Sequence, residues 1–201
     1  CIYTIKINEY LTEKLSTLIL HTRKHWVGIK IGQKTRCYKQ PIILRCGSKG
    51  FISVGEECYL LSCPKRSSAA SLYSSVKLKV FSGAIIVGNN VDLNGTSITA
   101  RTKCISIGDG TLVAPNCTIV DSDFHALWPP ENRGAGGEND KDVTIGKNTW
   151  IGMNSIILKG VTIGDNSIIG AGSTITKDVA KDSIAVERSN QKQFRKRRNK
   201  R

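Results

Sequence analysis

Isoleucine returns every six residues through the last third of the folded body. Cut into sixes, residues 145–180 read IGKNTW, IGMNSI, ILKGVT, IGDNSI, IGAGST and ITKDVA, and Ile145, Ile151, Ile157, Ile163, Ile169 and Ile175 lead the hexads. Gly follows in four of the six, and the fifth place is always small or β-branched: Thr149, Ser155, Val161, Ser167, Ser173, Val179. A period of six with dense glycine excludes a helix, whose period is 3.6. It fits short parallel strands stacked around a prism, three hexads per coil. One Ile per hexad points inward and the small fifth residue fits beneath the corner. Neighbouring coils then lie about 4.8 Å apart, the spacing of paired strands.

The same phase runs upstream with blemishes. Val87-Gly-Asn-Asn-Val91, Leu93-Asn-Gly-Thr-Ser97, Ile107-Gly-Asp-Gly-Thr111, Val113-Ala-Pro-Asn-Cys117 and Ile119-Val-Asp-Ser-Asp123 fit, with a two-residue slip between Thr99 and Ile107. Ile31-Gly-Gln-Lys-Thr35 and Val54-Gly-Glu-Glu-Cys58 are isolated earlier matches. The pattern predicts an all-β solenoid over 27–184, of roughly seven coils by the strand-stacking count. Three segments lie outside it. Residues 1–26 form an N-terminal segment in which Ile7, Leu11, Leu15 and Leu18 have helical spacing, predicting an amphipathic helix packed on the first coil with Asn8 as N-cap. Residues 125–142, HALWPPENRGAGGENDKD, break the phase and predict a protruding loop. Residues 185–201 form a basic tail.

Charge sharpens this division. The 201 residues carry 30 Lys and Arg against 16 Asp and Glu, a formal net charge of +14. Residues 1–40 hold eight cations against two acids and residues 181–201 nine against two, whereas 41–180 hold thirteen against twelve. A neutral body with basic ends is not a nucleic-acid-binding fold, and no nucleic-acid partner is expected. Contact of the tail with an anionic membrane surface is one expectation for RKRR and NKR. No apolar run approaches the roughly 20 residues of a membrane span. No signal peptide is visible, and the expected compartment is the cytoplasm. The chain starts at Cys1 and its one Met is Met153, so a preceding segment is expected. Seven Cys without a CxxC predict buried thiols in a reducing compartment, not disulfides or zinc.

The stretch VTIGKNTWIGMNSIILKGVTIGDNSIIGAGSTITKDV resembles the bacterial hexapeptide-repeat acyltransferases throughout, and IGDGTLVAPNCTIVDSDFHALWPPENR is similar to their DxDFHxL branch, common among saccharide O-acetyltransferases. The resemblance implies a left-handed parallel β-helix, a homotrimer with active sites shared between subunits, acetyl-coenzyme A as cosubstrate, no metal, and a saccharide acceptor. It implies His125 as the base. A hydroxyl is a poor nucleophile until its proton is being removed, and an imidazole does this near neutral pH. Asp121 and Asp123 precede it. Asp123 is the candidate to orient the ring, the other reading of such an Asp being a cap on a coil corner. By the same resemblance the N–H of Met153, beside Gly152, faces the thioester oxygen. The resemblance also implies that Trp150 flanks the pantetheine arm, its other reading being an aromatic that plugs a subunit contact; that Ala171, Thr176 and Lys177 contact the coenzyme; and that Asn94 and Arg133 face the acceptor, Arg133 reading otherwise as a solvated loop charge. His21 and His25, in the helical segment, read as structural or solvent-facing.

Two departures stand out. Ala126 replaces the family's Pro after the base, and the segment after the last coil lacks the usual GNPAK-like turn. Three functions compete: O-acetylation of a saccharide, N-acetylation of an amino-sugar nucleotide, and a non-catalytic scaffold with an anion-binding tail. A carbonic anhydrase of this fold needs three His on its metal, and the repeat body has only His125.

Overall fold

The structure, a computed structural model, describes residues 2–187, with side chains among them except at 2–6 and 25–27. A helix, Ile2–Val27, leads into a three-faced solenoid. The first face stacks Lys30–Ile31, Phe51–Val54, Ala84–Val87, Cys104–Ile107, Val143–Ile145 and Thr162–Ile163. The second stacks Arg36–Tyr38, Tyr59–Leu61, Asp92–Asn94, Leu112–Val113, Trp150–Ile151, Ile168–Ile169 and Ile184–Ala185. The third stacks Ile42–Arg45, Lys77–Val80, Ser97–Ala100, Thr118–Val120, Ile156–Ile157 and Thr174–Ile175. All of these pairings are parallel, and the chain visits the three faces in turn. Ile145 lies opposite Ile163, Ile151 opposite Ile169 and Ile157 opposite Ile175, each three hexads on.

Each place in the hexad has its own physical task. The leading residues Ile145, Ile151, Ile157 and Ile163 are fully buried and form one column with Ile85, Leu93, Ile98 and Ile119 of earlier coils. The fourth place turns left-handed: φ is 52° at Asn148, 57° at Asn154, 78° at Gly160 and 57° at Asn166. Asn and Gly tolerate this region best, which explains their dominance there. The fifth place is small or β-branched, and where it carries a hydroxyl or thiol it donates beneath the corner. Ser155 Oγ donates to the Gly152 carbonyl at 2.7 Å, Thr111 Oγ1 to that of Gly146 at 2.9 Å, and Cys117 Sγ to that of Gly152 at 3.1 Å. Burial pushes up the thiol of Cys117 in this place, to about 11, and that of Cys37 in the inward column, to about 12.

Two features differ from the sequence expectation. A second excursion, residues 62–76, leaves the corner between the second and third faces and carries the short 3-10 turn Pro64–Arg66; its Leu72 packs with Tyr38, Leu61 and Cys63. The helix begins well before Asn8, which lies inside it and is no N-cap. Its packing is also the reverse of the one expected. Leu20 and Ser16 are buried against the first coil, whereas Ile7, Leu11, Leu15 and Leu18 point away from it.

The reason lies in the open edge of the second face. Arg36–Tyr38 has a strand on one side only, so its other backbone groups need partners. Thr17 Oγ1 takes the N–H of Cys37 at 3.1 Å, Ser16 Oγ takes that of Lys39 at 3.2 Å, and His21 Nε2–H donates to the Thr35 carbonyl at 2.8 Å. Glu13 and Glu9 add ion pairs to Arg36 at 3.1 Å and Arg66 at 2.8 Å. The polar side must face the edge, so the apolar stripe faces out. His21 is thus structural; the His25 side chain and the tail from residue 188 lie outside what is described.

Ile151→Ala, at a fully buried place in the ladder, is expected to lower the unfolding free energy by about 2–5 kcal/mol. Leu18→Ala, on the outer side of the helix, is expected to change it by no more than about 0.5 kcal/mol. Urea unfolding followed by circular dichroism measures both; equal losses would contradict this packing.

Candidate active site

The chain leaves the solenoid after Thr118–Val120 and rejoins it at Val143–Ile145, so residues 121–142 span the corner between the third and first faces. Asp121 anchors this corner. Its fully buried carboxylate accepts the N–H of Arg101 at 2.7 Å, of Lys103 at 2.9 Å and of Thr102 at 3.1 Å. Three successive amides wrapped around one carboxylate account for the two-residue slip upstream of Ile107. Burial pushes the Asp121 carboxyl above its usual range, the neighbouring Asp140 adds to this, and the three amides oppose it. Arg101 also holds the loop from outside, donating from Nη1 to the Phe124 carbonyl at 3.1 Å.

His125 follows directly. Phe124 takes a left-handed φ of 64°, with its N–H on Ser122 Oγ at 2.8 Å, and this turn puts the next side chain in solvent. His125 Nδ1 lies 2.8 Å from the Arg133 carbonyl. A carbonyl only accepts, so Nδ1 carries the proton and Nε2 of the neutral ring keeps its lone pair, the tautomer a general base requires. Asp123 is close in the chain but bonded elsewhere, in an ion pair with Lys159 Nζ. The group that orients the ring is therefore the Arg133 backbone. The Arg133 side chain is exposed beside it. A shallow cleft here is lined by Asp123, Phe124, His125, Gly136, Glu138 and Asn139 among others.

A second set of candidates sits on another edge, between the second and third faces. Trp150 is half-exposed on the second face between Leu112 and Ile168. Gly152 has a reason of its own: a Cβ there would lie 2.5 Å from Ala171 N, so the next coil alone requires glycine. The Gly152 N–H is bound to the Ile169 carbonyl, and that of Asn154 to Pro115. The N–H of Met153, between them, has no acceptor among the described residues. At a comparable turn, Lys147 N–H is taken by Asp165 Oδ1 at 2.7 Å, whereas the coil beyond Met153 offers Ala171, which has no side-chain acceptor. Asn94 lies on the same edge and donates its amide to the Val113 carbonyl at 2.9 Å. Thr176 and Lys177 are exposed near the end of the stack, in an open cleft with Asp178 and Glu187.

One chain does not bring these sets together. His125, Asp123, Arg133, Thr176 and Lys177 belong to the edge between third and first faces, while Asn94, Trp150, Gly152, Met153 and Ala171 belong to that between second and third. The whole third face separates them. Sequence reasoning missed Arg101 and Lys159. The slip was a signal for Arg101; Lys159 fills an ordinary third place of a hexad, and only its reach across the loop distinguishes it.

Residues 142–177 match the family model described as "Bacterial transferase hexapeptide (six repeats)". Over these residues the repeat is similar to the hexapeptide repeat of that family. The chain is 41% identical over 76 residues to nodulation protein L of Rhizobium leguminosarum bv. viciae, covering 38% of this chain and 39% of that protein. It is 39% identical over 67 residues to a polysialic acid O-acetyltransferase of Neisseria meningitidis, covering 33% of this chain and 31% of that one. The matches thus span less than half the length of these curated relatives. A solved structure of a point mutant of AntD, an N-acyltransferase from Bacillus cereus, in complex with coenzyme A and dTDP-4-amino-4,6-dideoxyglucose, superposes with TM-score 0.57 at 16% identity, covering 88% of this chain and 89% of that one. The shared fold is the left-handed parallel β-helix. Among the described residues no group of three or more His, Cys, Asp or Glu is arranged to hold a metal ion.

Asp121→Ala strips three buried amides of their acceptor and is expected to lower the unfolding free energy by about 3 kcal/mol. Asp123→Asn loses only a partly exposed ion pair and is expected to lower it by at most about 1 kcal/mol. Urea titration of the two variants checks the contrast, and a larger loss for Asp123→Asn would reverse the roles.

Proposed function

We propose that the protein transfers an acetyl group from acetyl-coenzyme A to a hydroxyl of a saccharide, with His125 as general base. The observation that carries this reading is the Nδ1–H bond of His125 to the Arg133 carbonyl, which leaves Nε2 as an exposed base. The polysialic acid O-acetyltransferase among the relatives supports a saccharide hydroxyl as acceptor. The coenzyme A in the AntD structure supports the donor, which meets a small-residue wall at Gly152 and Ala171 flanked by Trp150. Lys177, with Thr176, supplies positive charge for the phosphates, and Asn94 and Arg133 face the acceptor.

His125 Nε2 takes the hydroxyl proton as the acceptor oxygen bonds to the acetyl carbon. The free N–H of Met153 stabilises the negative charge that develops on the acetyl oxygen. As the carbon–sulfur bond breaks, the imidazolium returns its proton to the departing thiolate. Asp123, paired with Lys159, acts on the loop and so on the ring only at second hand.

Two edges of one prism meet only when a second copy lays its own edge alongside, and the homotrimer that the family resemblance implies meets this need in this reading. Six free Cys among the described residues suit the reducing cytoplasm, where the donor is also available. The chain divides into the N-terminal helix Ile2–Val27, the catalytic β-helix that closes with the strand Ile184–Ala185, and the basic residues after it.

His125→Ala and His125→Asn are expected to lower acetyl transfer by about 10²–10⁴-fold with an unchanged melting temperature, measured as thiol release from acetyl-coenzyme A over a panel of saccharides. An active His125→Ala protein overturns the assignment.

Met153→Pro gives a sharper test. Val113 pairs with Ile151, so Pro115 stands where Met153 stands one coil later, and the turn accepts proline there. The variant is expected to fold while losing about 10²–10³-fold in rate. Mixing it with His125→Ala under conditions of subunit exchange is expected to restore part of the activity, since hybrids contain sites with both groups intact. No recovery in demonstrated hybrids would place both groups in one subunit's site and remove the reason for a shared one.

A further inference from the structure

The N-terminal helix turns a continuous apolar stripe to solvent. Ile7 is 55% exposed, Tyr10 61%, Leu11 56%, Leu15 60% and Leu18 61%, on the side opposite the buried Ser16 and Leu20. From Ile7 to Leu18 the stripe runs about 17 Å at the helical rise. Scattered exposed apolar residues are ordinary, but a row of five on one helix face marks a contact surface. The solenoid cannot cover it, because the polar side of the helix is committed to the open edge at Thr35, Cys37 and Lys39.

The charge around the stripe selects the occupant. Lys14 lies on the exposed side with its ammonium 5.3 Å from the Tyr10 ring centre, and Arg23 and Lys30 are exposed nearby in sequence. Both acids of the helix, Glu9 and Glu13, are drawn inward into ion pairs with Arg66 and Arg36. Lys14, Arg23 and Lys30 are therefore the exposed cations beside the apolar groups, while Arg36 and Lys34 are paired with Glu13 and Glu57. Two copies of such an end repel one another, and Lys14 interrupts the seam that helix pairing needs. An anionic lipid surface satisfies both features: apolar side chains enter the boundary below the headgroups, and the cations meet phosphates. No described helix is long and apolar enough to cross a membrane.

We propose that this helix lies flat on a membrane surface rich in anionic lipid and holds the solenoid against it by Ile7, Tyr10, Leu11, Leu15 and Leu18, with Lys14 at the headgroups.

The test is flotation of the full chain with vesicles of pure phosphatidylcholine or with roughly one third phosphatidylglycerol. Wild-type protein is expected to float with the anionic vesicles and not with the neutral ones. The triple variant Leu11→Ser/Leu15→Ser/Leu18→Ser is expected to bind at least about tenfold more weakly, and Lys14→Glu several-fold more weakly at low salt. The triple variant changes only exposed side chains, so its melting temperature should match wild type; Leu11→Ser alone, weakened several-fold, gives the same reading if it does not. Wild type that stays with the solution, or a triple variant that floats like wild type because the basic tail alone binds, overturns the proposal. So does a wild-type particle that halves its mass in sedimentation when the three leucines are replaced, which would make a second copy the occupant.

Discussion

Coil must close upon coil at each corner, and everything else in the molecule is arranged around that closure. The backbone turns through a left-handed residue, and the carbonyl exposed by the turn is met by a small donor below, as Ser155 meets Gly152 and Thr111 meets Gly146. The inward column of Ile, Val and Leu supplies the apolar burial, but burial alone does not fix where a coil ends. The corner chemistry does. No buried side-chain nitrogen or oxygen among the described residues is left without a partner, despite Thr and Ser at so many buried places. That is why a wide turn needs an anion of its own: where Arg101–Lys103 adds residues, Asp121 supplies the acceptors that the hexad geometry no longer provides.

Much of this was legible in the residues. Ile145 to Ile175 gave the phase, the small fifth residues marked the corners, and the slip near Thr99 marked a real widening. The excursion at 62–76 was harder to see, because the matches before it, at Ile31 and Val54, are isolated and carry no running phase up to Val87. The helix was found but turned inside out. Helical spacing of Ile7, Leu11, Leu15 and Leu18 identifies an apolar face; it does not say which face the neighbour needs. Here the neighbour is a strand edge with unpaired amides, and hydroxyls fit it better than leucines.

The candidate site was legible in parts and not as a whole. His125 stood out because it is a lone imidazole where the ladder breaks. Its partner did not, since a backbone carbonyl at Arg133 leaves no trace in side-chain identity. Asp123 drew attention as the nearest carboxylate, yet chain proximity is a poor guide beside Lys159 reaching in from the following coil. The free amide of Met153 is likewise a property of what the adjoining coil lacks, and such an absence is seen only once the coils are stacked.

The N-terminal helix has one more consequence. A repeat of this kind carries no internal instruction to stop: every coil offers the same backbone edge to the next, whether that belongs to the same molecule or another. With Ser16, Thr17 and His21 occupying the edge strand Arg36–Tyr38, the second face is closed to further strands at this end of the column. The helix is thus a terminator, and its polar side chains stand between a discrete particle and head-to-tail growth of a fibre.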